Sequence, residues 1–215
     1  TLINSILSSQ NPETGMTMYF QPMATGYFKV YSSGFEDFWC CTGTGMENFT
    51  KLNDSIYFHS ITDIYVNQYV SSEVTWKERN LRLIQETDIP SSDKSRFTIK
   101  TLDGNTTDTT IRLRVPDWLS ADASVTINGI PFNYTIENKY IVLNSTWSNQ
   151  DIIEIKLSME VVAYRLPDND NTIAFKYGPV VLSAALGKES MIEATTGVNV
   201  AIPTLAKVKD TILIS

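Results

Sequence analysis

From Ser55 onward the chain is written in short segments of β-branched and aromatic residues, each closed by turn-forming residues. The segments SIYFHS, DIYVNQYV, LRLIQETDI, SRFTIKTL and TTIRLRVP follow one another, and KYIVL, DIIEIKLSMEVVAYRL and TIAFKYGPVVLSAAL continue the series. Apolar residues at every second position put one face of an extended chain toward a core and the other toward water. Strands recurring at intervals of about ten residues, with little helical periodicity between them, predict an antiparallel β-sandwich. The clearest local signal is Asn128-Gly129 inside VTINGIPFNYT. A type I′ hairpin turn needs positive φ at both central residues, and this dipeptide tolerates it best.

The first 58 residues obey a different grammar. Leu2 to Ser9 reads as the last turns of a helix, closed by the turn signal Asn11-Pro12-Glu13-Thr14-Gly15. Aromatics and glycines dominate residues 16–38, which fit loops and short extended pieces. A short helix is predicted from Thr44, where Thr44 and Glu47 have capping-box spacing and Met46, Phe49 and Leu52 fall at helical spacing. Asn53-Asp54 ends it. The chain opens at Thr1 inside an apolar pattern, so the expectation is a piece of a longer protein. The resulting division is 1–58 helix and loop, 59–165 sandwich, and 166–215 further strands that complete or follow it.

Composition excludes several classes of partner. A net charge of −7, with Lys and Arg scattered, argues against nucleic acid or an anionic membrane surface. No apolar run approaches the roughly 20 residues of a spanning helix.

The chain has two cysteines, Cys40 and Cys41, adjacent and followed by Thr42-Gly43-Thr44-Gly45. Two cysteines in 215 residues rule out a disulfide-stapled scaffold, and neighbours are poor partners for each other. Three readings stay open on the residues alone. They are two small buried hydrophobes, two thiolate ligands of a tetrahedral zinc site, or a nucleophile activated by the start of a helix. The glycine run is no phosphate loop, for it lacks the Lys-Ser/Thr ending. His59, the only histidine, reads as a structural or surface residue, Glu47 as the capping acid, and Glu36 and Asp37 as solvated charges. The aromatics Tyr19, Phe20, Tyr27, Phe28, Tyr31 and Trp39 read chiefly as packing, with sugar stacking as the rival. Trp76, Trp118 and Trp147 read as core or edge packing of the sandwich.

The segment FKVYSSGFEDFWCCTGTGMENFTKLNDSIYFH resembles a bacterial glycosidase group, the β-L-arabinofuranosidases of glycoside hydrolase families 127 and 146 and their relatives. The resemblance continues through DIYVNQYVSSEVTWKERNLRLIQETDIP and IRLRVPDW. It implies an (α/α)6 barrel carrying the active site, of which residues 1–58 are the end, with the β-sandwich packed on that upstream barrel. It further implies that Cys40 is both nucleophile and zinc ligand and that Cys41 is a second zinc ligand. The remaining ligands, a glutamate and a cysteine, and the acid/base glutamate would lie upstream. Thr42-Gly43-Thr44-Gly45 departs from the proline-bearing form of the best-known members. The substrate implied is therefore an oligosaccharide bearing L-arabinofuranose or a related sugar, met in the periplasm or outside a bacterial cell. The alternative of another class is a non-catalytic structural or carbohydrate-binding sandwich module.

Overall fold

The period-two pattern gives strands wherever it was legible. The structure is a computed structural model that describes residues 11, 13–16, 27–29, 47, 50, 51, 53–183 and 199–201. Two compact units emerge, one of residues 1–50 with 183–215 and the other of 51–182.

In the first unit β1 (Tyr27–Lys29) pairs antiparallel with a last strand, β16 (Asn199–Ala201). The predicted turn after the first helical segment forms. Asn11 Oδ1 accepts hydrogen bonds from the backbone N–H groups of Glu13 and Thr14, and Gly15 takes a φ of +73°. The helix expected over Leu2–Ser9 lies outside the described residues.

The second unit holds the strands β2 (Tyr57–His59), β3 (Asp63–Val66), β4 (Ser72–Trp76), β5 (Leu81–Thr87), β6 (Lys94–Thr101) and β7 (Thr107–Arg114). They are followed by β8 (Ser124–Ile127), β9 (Ile130–Pro131), β10 (Thr135–Glu137), β11 (Tyr140–Trp147) and β12 (Ile152–Lys156). These eleven form two sheets, a five-stranded one in the order β10-β11-β7-β3-β2 and a six-stranded one in the order β4-β5-β6-β12-β8-β9. The chain changes sheet after β3, β6, β7, β9 and β11, so each sheet is assembled from distant pieces of sequence.

One pairing departs from the antiparallel expectation: β3 and β7 run parallel. The reason is the route. The chain leaves the five-stranded sheet after β3, builds β4 to β6 in the opposite sheet, and returns as β7 in the direction in which it left. A parallel pair needs a long crossover, and here the crossover is itself a β-meander rather than a helix.

Alternate residues of the two sheets meet in one core. Leu81, Leu83, Phe97, Ile99, Ile153 and Ile155 from the six-stranded sheet share it with Ile64, Val66, Ile111, Leu113, Ile141 and Leu143 from the five-stranded one. Every one of these is buried. The expected hairpin turn forms between β8 and β9, with φ of +51° at Asn128 and +78° at Gly129 and Ile127 facing Ile130. Asn128 also ties the turn to β12: its Oδ1 accepts the Ile152 N–H at 2.8 Å and its Nδ2 donates to Asp151 at 2.9 Å.

Beyond β12 a three-stranded sheet follows, made of β13 (Val161–Leu166), β14 (Asn169–Tyr177) and β15 (Val180–Val181). DIIEIKLSMEVVAYRL reads as one run in the sequence but contains both β12 and β13, separated at 157–160. Gly178 turns β14 into β15 at φ +53°, where a Cβ would collide with the Met159 side chain.

Candidate functional site

Cys40 and Cys41 lie outside the described residues, as do Trp39 and the side chains of the aromatics that precede them. The predicted helix that follows the thiols is present at Glu47, Thr50 and Lys51, and it gives way to a turn at Asn53–Ser55. The Thr50 hydroxyl donates to the Glu47 carbonyl at 2.7 Å, a local bond that a helical side chain makes to its own preceding turn. The chain is then fastened to the sandwich: Ile56 is buried, its carbonyl accepts the Asn67 N–H at 2.8 Å, and Asn67 Nδ2 donates to Ser55 at 3.0 Å. Ser55 and Ile56 are therefore held at the start of the edge strand β2.

His59 closes β2, exposed, with Nδ1 2.9 Å from the Ser60 carbonyl and its ring 5.0 Å from that of Trp76. That is a surface histidine with local partners. Trp76 and Trp147 are core residues, and Trp118 packs half-buried against the same core. Among the described residues no three His, Cys, Asp or Glu side chains gather closely enough to hold a metal ion.

The solvent face of the five-stranded sheet carries a cluster that sequence reasoning missed. Arg112 sits at its centre, its Nε 2.6 Å from Asp63 and its Nη1 2.9 Å from Glu137. The guanidinium lies 5.6 Å from the centre of the Tyr65 ring, and Tyr140 meets Tyr65 edge-on at 5.3 Å. The Tyr140 hydroxyl reaches Asn67 Oδ1 at 3.0 Å, while the Tyr69 hydroxyl donates to the Arg114 carbonyl at 2.6 Å. Arg112 and Asp63 side chains keep only 17% and 14% of their exposure, so this pair is far less screened than an ordinary surface ion pair. Burial pushes the Asp63 carboxyl up, but the Thr62 hydroxyl and the Arg112 guanidinium outweigh it and hold the group below its ordinary 3.8.

A depressed carboxylate stabilises the fold above its unfolded pKa, and the contribution fades as pH falls through the folded value. Asp63→Asn is therefore expected to cost about 2 kcal/mol at neutral pH and much less at pH about 3, below the ordinary carboxylate range. Urea unfolding at the two pH values checks it, and an equal deficit at both would refute the role of the charge. The only trace in sequence is that Asp63, Tyr65 and Arg112 occupy outward-facing positions of strands whose inward residues are apolar.

The cluster is closed on itself, every charge being answered within the sheet. It is a structural clasp and offers no free nucleophile or acid.

Comparison with known proteins gives the family instead. Residues 1–54 match the family model described as the β-L-arabinofuranosidase GH127 catalytic domain. Residues 63–159 match that of the GH127 middle domain. Together the two models span well over half of the chain, in the same order as the change of grammar near Ser55. The chain belongs to the GH127 β-L-arabinofuranosidase family. The two cysteines of this GH127 member fall within the part matched to the catalytic domain, and β3 to β12 of the sandwich fall within the part matched to the middle domain.

Solved structures agree. A GH127 β-L-arabinofuranosidase from Geobacillus stearothermophilus T6 is 25% identical, with a TM-score of 0.60 over 66% of this chain and 23% of its own. A structure described as a glycoside hydrolase is also 25% identical, with a TM-score of 0.69 over 84% of this chain and 32% of its own. A GH127 β-arabinofuranosidase at 21% identity and a TM-score of 0.59 shares the fold, over 73% of this chain and 29% of its own. This GH127 chain thus spans about a quarter to a third of the length of the structures it matches. No curated protein matches it.

Proposed function

We propose that the enzyme to which this chain belongs is a retaining glycoside hydrolase that releases L-arabinofuranose, or a closely related sugar, from an oligosaccharide. The observation that carries the reading is that the only two cysteines stand side by side inside the stretch matched to the GH127 catalytic domain. The part of the chain before β2 is then the end of the (α/α)6 barrel, β2 to β12 are the sandwich that follows it, and β13 to β15 are a further sheet beyond the sandwich.

Cys40 is the nucleophile. Its thiolate attacks the anomeric carbon, the C–O bond to the leaving group breaks, and a carboxylic acid from the upstream part of the enzyme protonates the departing oxygen. The sugar is left on Cys40 Sγ as a thioglycoside. Water, deprotonated by the same carboxylate, then attacks the anomeric carbon and returns Cys40 to the thiolate. Two displacements at one carbon give net retention.

Cys40 and Cys41 also fit a zinc ion by the chemistry of their donors, since two thiolates supply half of the tetrahedral shell that this borderline-soft metal prefers. The other ligands belong to the upstream part of the enzyme. Zinc bound there keeps both thiols deprotonated at neutral pH. Gly43 and Gly45 follow the thiols in sequence and carry no side chain, the residue type that permits a ligand to approach a backbone closely.

The experiment is elemental analysis of the full-length enzyme together with hydrolysis of an aryl β-L-arabinofuranoside. About one zinc per chain is expected, lost in Cys41→Ser along with most of the activity, part of which returns on adding zinc. Full metal occupancy in Cys41→Ser would remove that residue from the ligand set. Failure to hydrolyse the arabinofuranoside would remove the substrate.

A further inference from the structure

The ion pairs on the two outer faces of the sandwich differ in exposure. On the five-stranded sheet Arg112 and Asp63 are shielded. On the six-stranded sheet Arg82–Glu73, Arg96–Glu154 and Lys156–Asp93 pair in the open, with side chains 30% to 52% exposed, and Arg96, Glu154 and Lys156 line an open groove of about 770 Å³.

Its floor is set by strand register. Glu86 on β5 lies opposite Arg96 on β6, Arg96 opposite Glu154 on β12, and Glu154 opposite Thr126 on β8. A second row two residues along places Lys94 opposite Lys156. Neighbouring strands lie about 4.8 Å apart, so the first row runs about 14 Å across the sheet. Asp88 and Ser92, from the β5–β6 connection, wall one side.

Four properties of this groove point to one class of ligand. Its cations and carboxylates balance in number, so as a whole it selects neither an anion nor a cation. No aromatic ring lines it, and the one large apolar residue beneath it, Ile155, is buried in the core, so binding there must come from hydrogen bonds. Acceptor, donor, acceptor and hydroxyl alternate along the row Glu86, Arg96, Glu154 and Thr126, the order that a string of sugar hydroxyls satisfies because each hydroxyl both donates and accepts. Finally, the groups are loosely committed. Arg96 and Glu154 stand 3.7 Å apart with about half of each side chain exposed, an arrangement worth little in water, so both can turn to a ligand at little cost.

We propose that the groove over β5, β6, β12 and β8 is a binding subsite for a neutral, hydroxyl-rich oligosaccharide. It rests on the glycosidase reading above, for it would grip the polymer whose sugar the enzyme removes. The probe is arabinopentaose, whose α-linkages a β-specific hydrolase leaves intact, titrated calorimetrically into the full-length enzyme. Hydrolysis of the aryl β-L-arabinofuranoside is followed in parallel. The double variant Arg96→Ala/Glu154→Ala is expected to weaken arabinopentaose binding by about tenfold or more. Glu154→Gln, which keeps the shape and one acceptor, is expected to weaken it less, and both should leave aryl glycoside hydrolysis unchanged. Lys100→Ala, on the same face but outside the groove lining, should alter neither.

Absence of binding to the unaltered enzyme overturns the proposal, as does equal affinity in the double variant. A double variant with unchanged affinity but a lower melting temperature makes the groove a seat for another part of the enzyme, and that too overturns it. Binding that depends on Arg96 and Glu154 in an enzyme without arabinofuranosidase activity supports the groove and overturns only the catalytic reading.

Discussion

Cys40→Ser in the full-length enzyme is expected to lower hydrolysis of an aryl β-L-arabinofuranoside by roughly 10⁴-fold or more, the scale of losing a nucleophile. Size does not explain such a loss, because Ser is nearly isosteric with Cys. Ionisation does. A free thiol has a pKa of about 8.5, and a helix start or a metal lowers it into the range where the thiolate predominates at neutral pH. A serine hydroxyl stays protonated there unless a base takes its proton during attack. In the proposed mechanism the acid/base carboxylate serves the leaving group and the water, and residue 40 is not assigned a base of its own. Far-ultraviolet circular dichroism of the variant should be unchanged, since the exchange of one atom alters side-chain volume so little. Cys41→Ser should behave differently, with activity partly restored by added zinc. Retention of full activity in Cys40→Ser would end its assignment as nucleophile.

How much of this was legible in sequence depended on whether the deciding partner was near or far along the chain. Strands such as β6 and β7, with alternating buried and exposed residues over Lys94–Thr101 and Thr107–Arg114, announce themselves. So does the Asn128-Gly129 turn, whose chemistry is confined to two residues. β4 gave no separate signal, because Ser72–Trp76 is short and only Trp76 is fully buried. The parallel pairing of β3 with β7 could not be read at all. It depends on the intervening strands joining the opposite sheet, which no local pattern records. The Arg112 clasp was hidden for the same reason: Asp63 and Arg112 are 49 residues apart and meet only through that pairing. With the cysteines, adjacency in sequence drew attention to the pair, yet it left three roles open. Only resemblance favours the ligand and nucleophile roles among them, because the partners it implies, further ligands and an acid/base group, are not spaced near the pair in this sequence.

Trp147→Ala is expected to destabilise the sandwich by about 3–5 kcal/mol, a large share of the stability of an ordinary domain. Trp147 is the last residue of β11, 1% exposed and the bulkiest of the fully buried side chains among the described residues. It also has a polar obligation. Its Nε1–H donates to the Thr109 carbonyl on β7 at 2.7 Å, at the end of the core where Thr107 and Thr109 are buried with their hydroxyls 3.2 Å apart. Alanine therefore opens a cavity beside polar groups and leaves a buried carbonyl one partner short, and the two costs fall on the same site. Trp147→Phe separates them, for it keeps much of the ring volume and removes only the donor. Its cost should be about 1–2 kcal/mol. Trp118, half-buried at the margin of the same core, should lose less than Trp147 when truncated to alanine. Urea unfolding of the three variants gives the order directly, with the midpoint falling and the slope preserved. A loss below about 1 kcal/mol in Trp147→Ala would mean that the core closes over the gap, and that Trp147 does not organise the junction of β7 and β11.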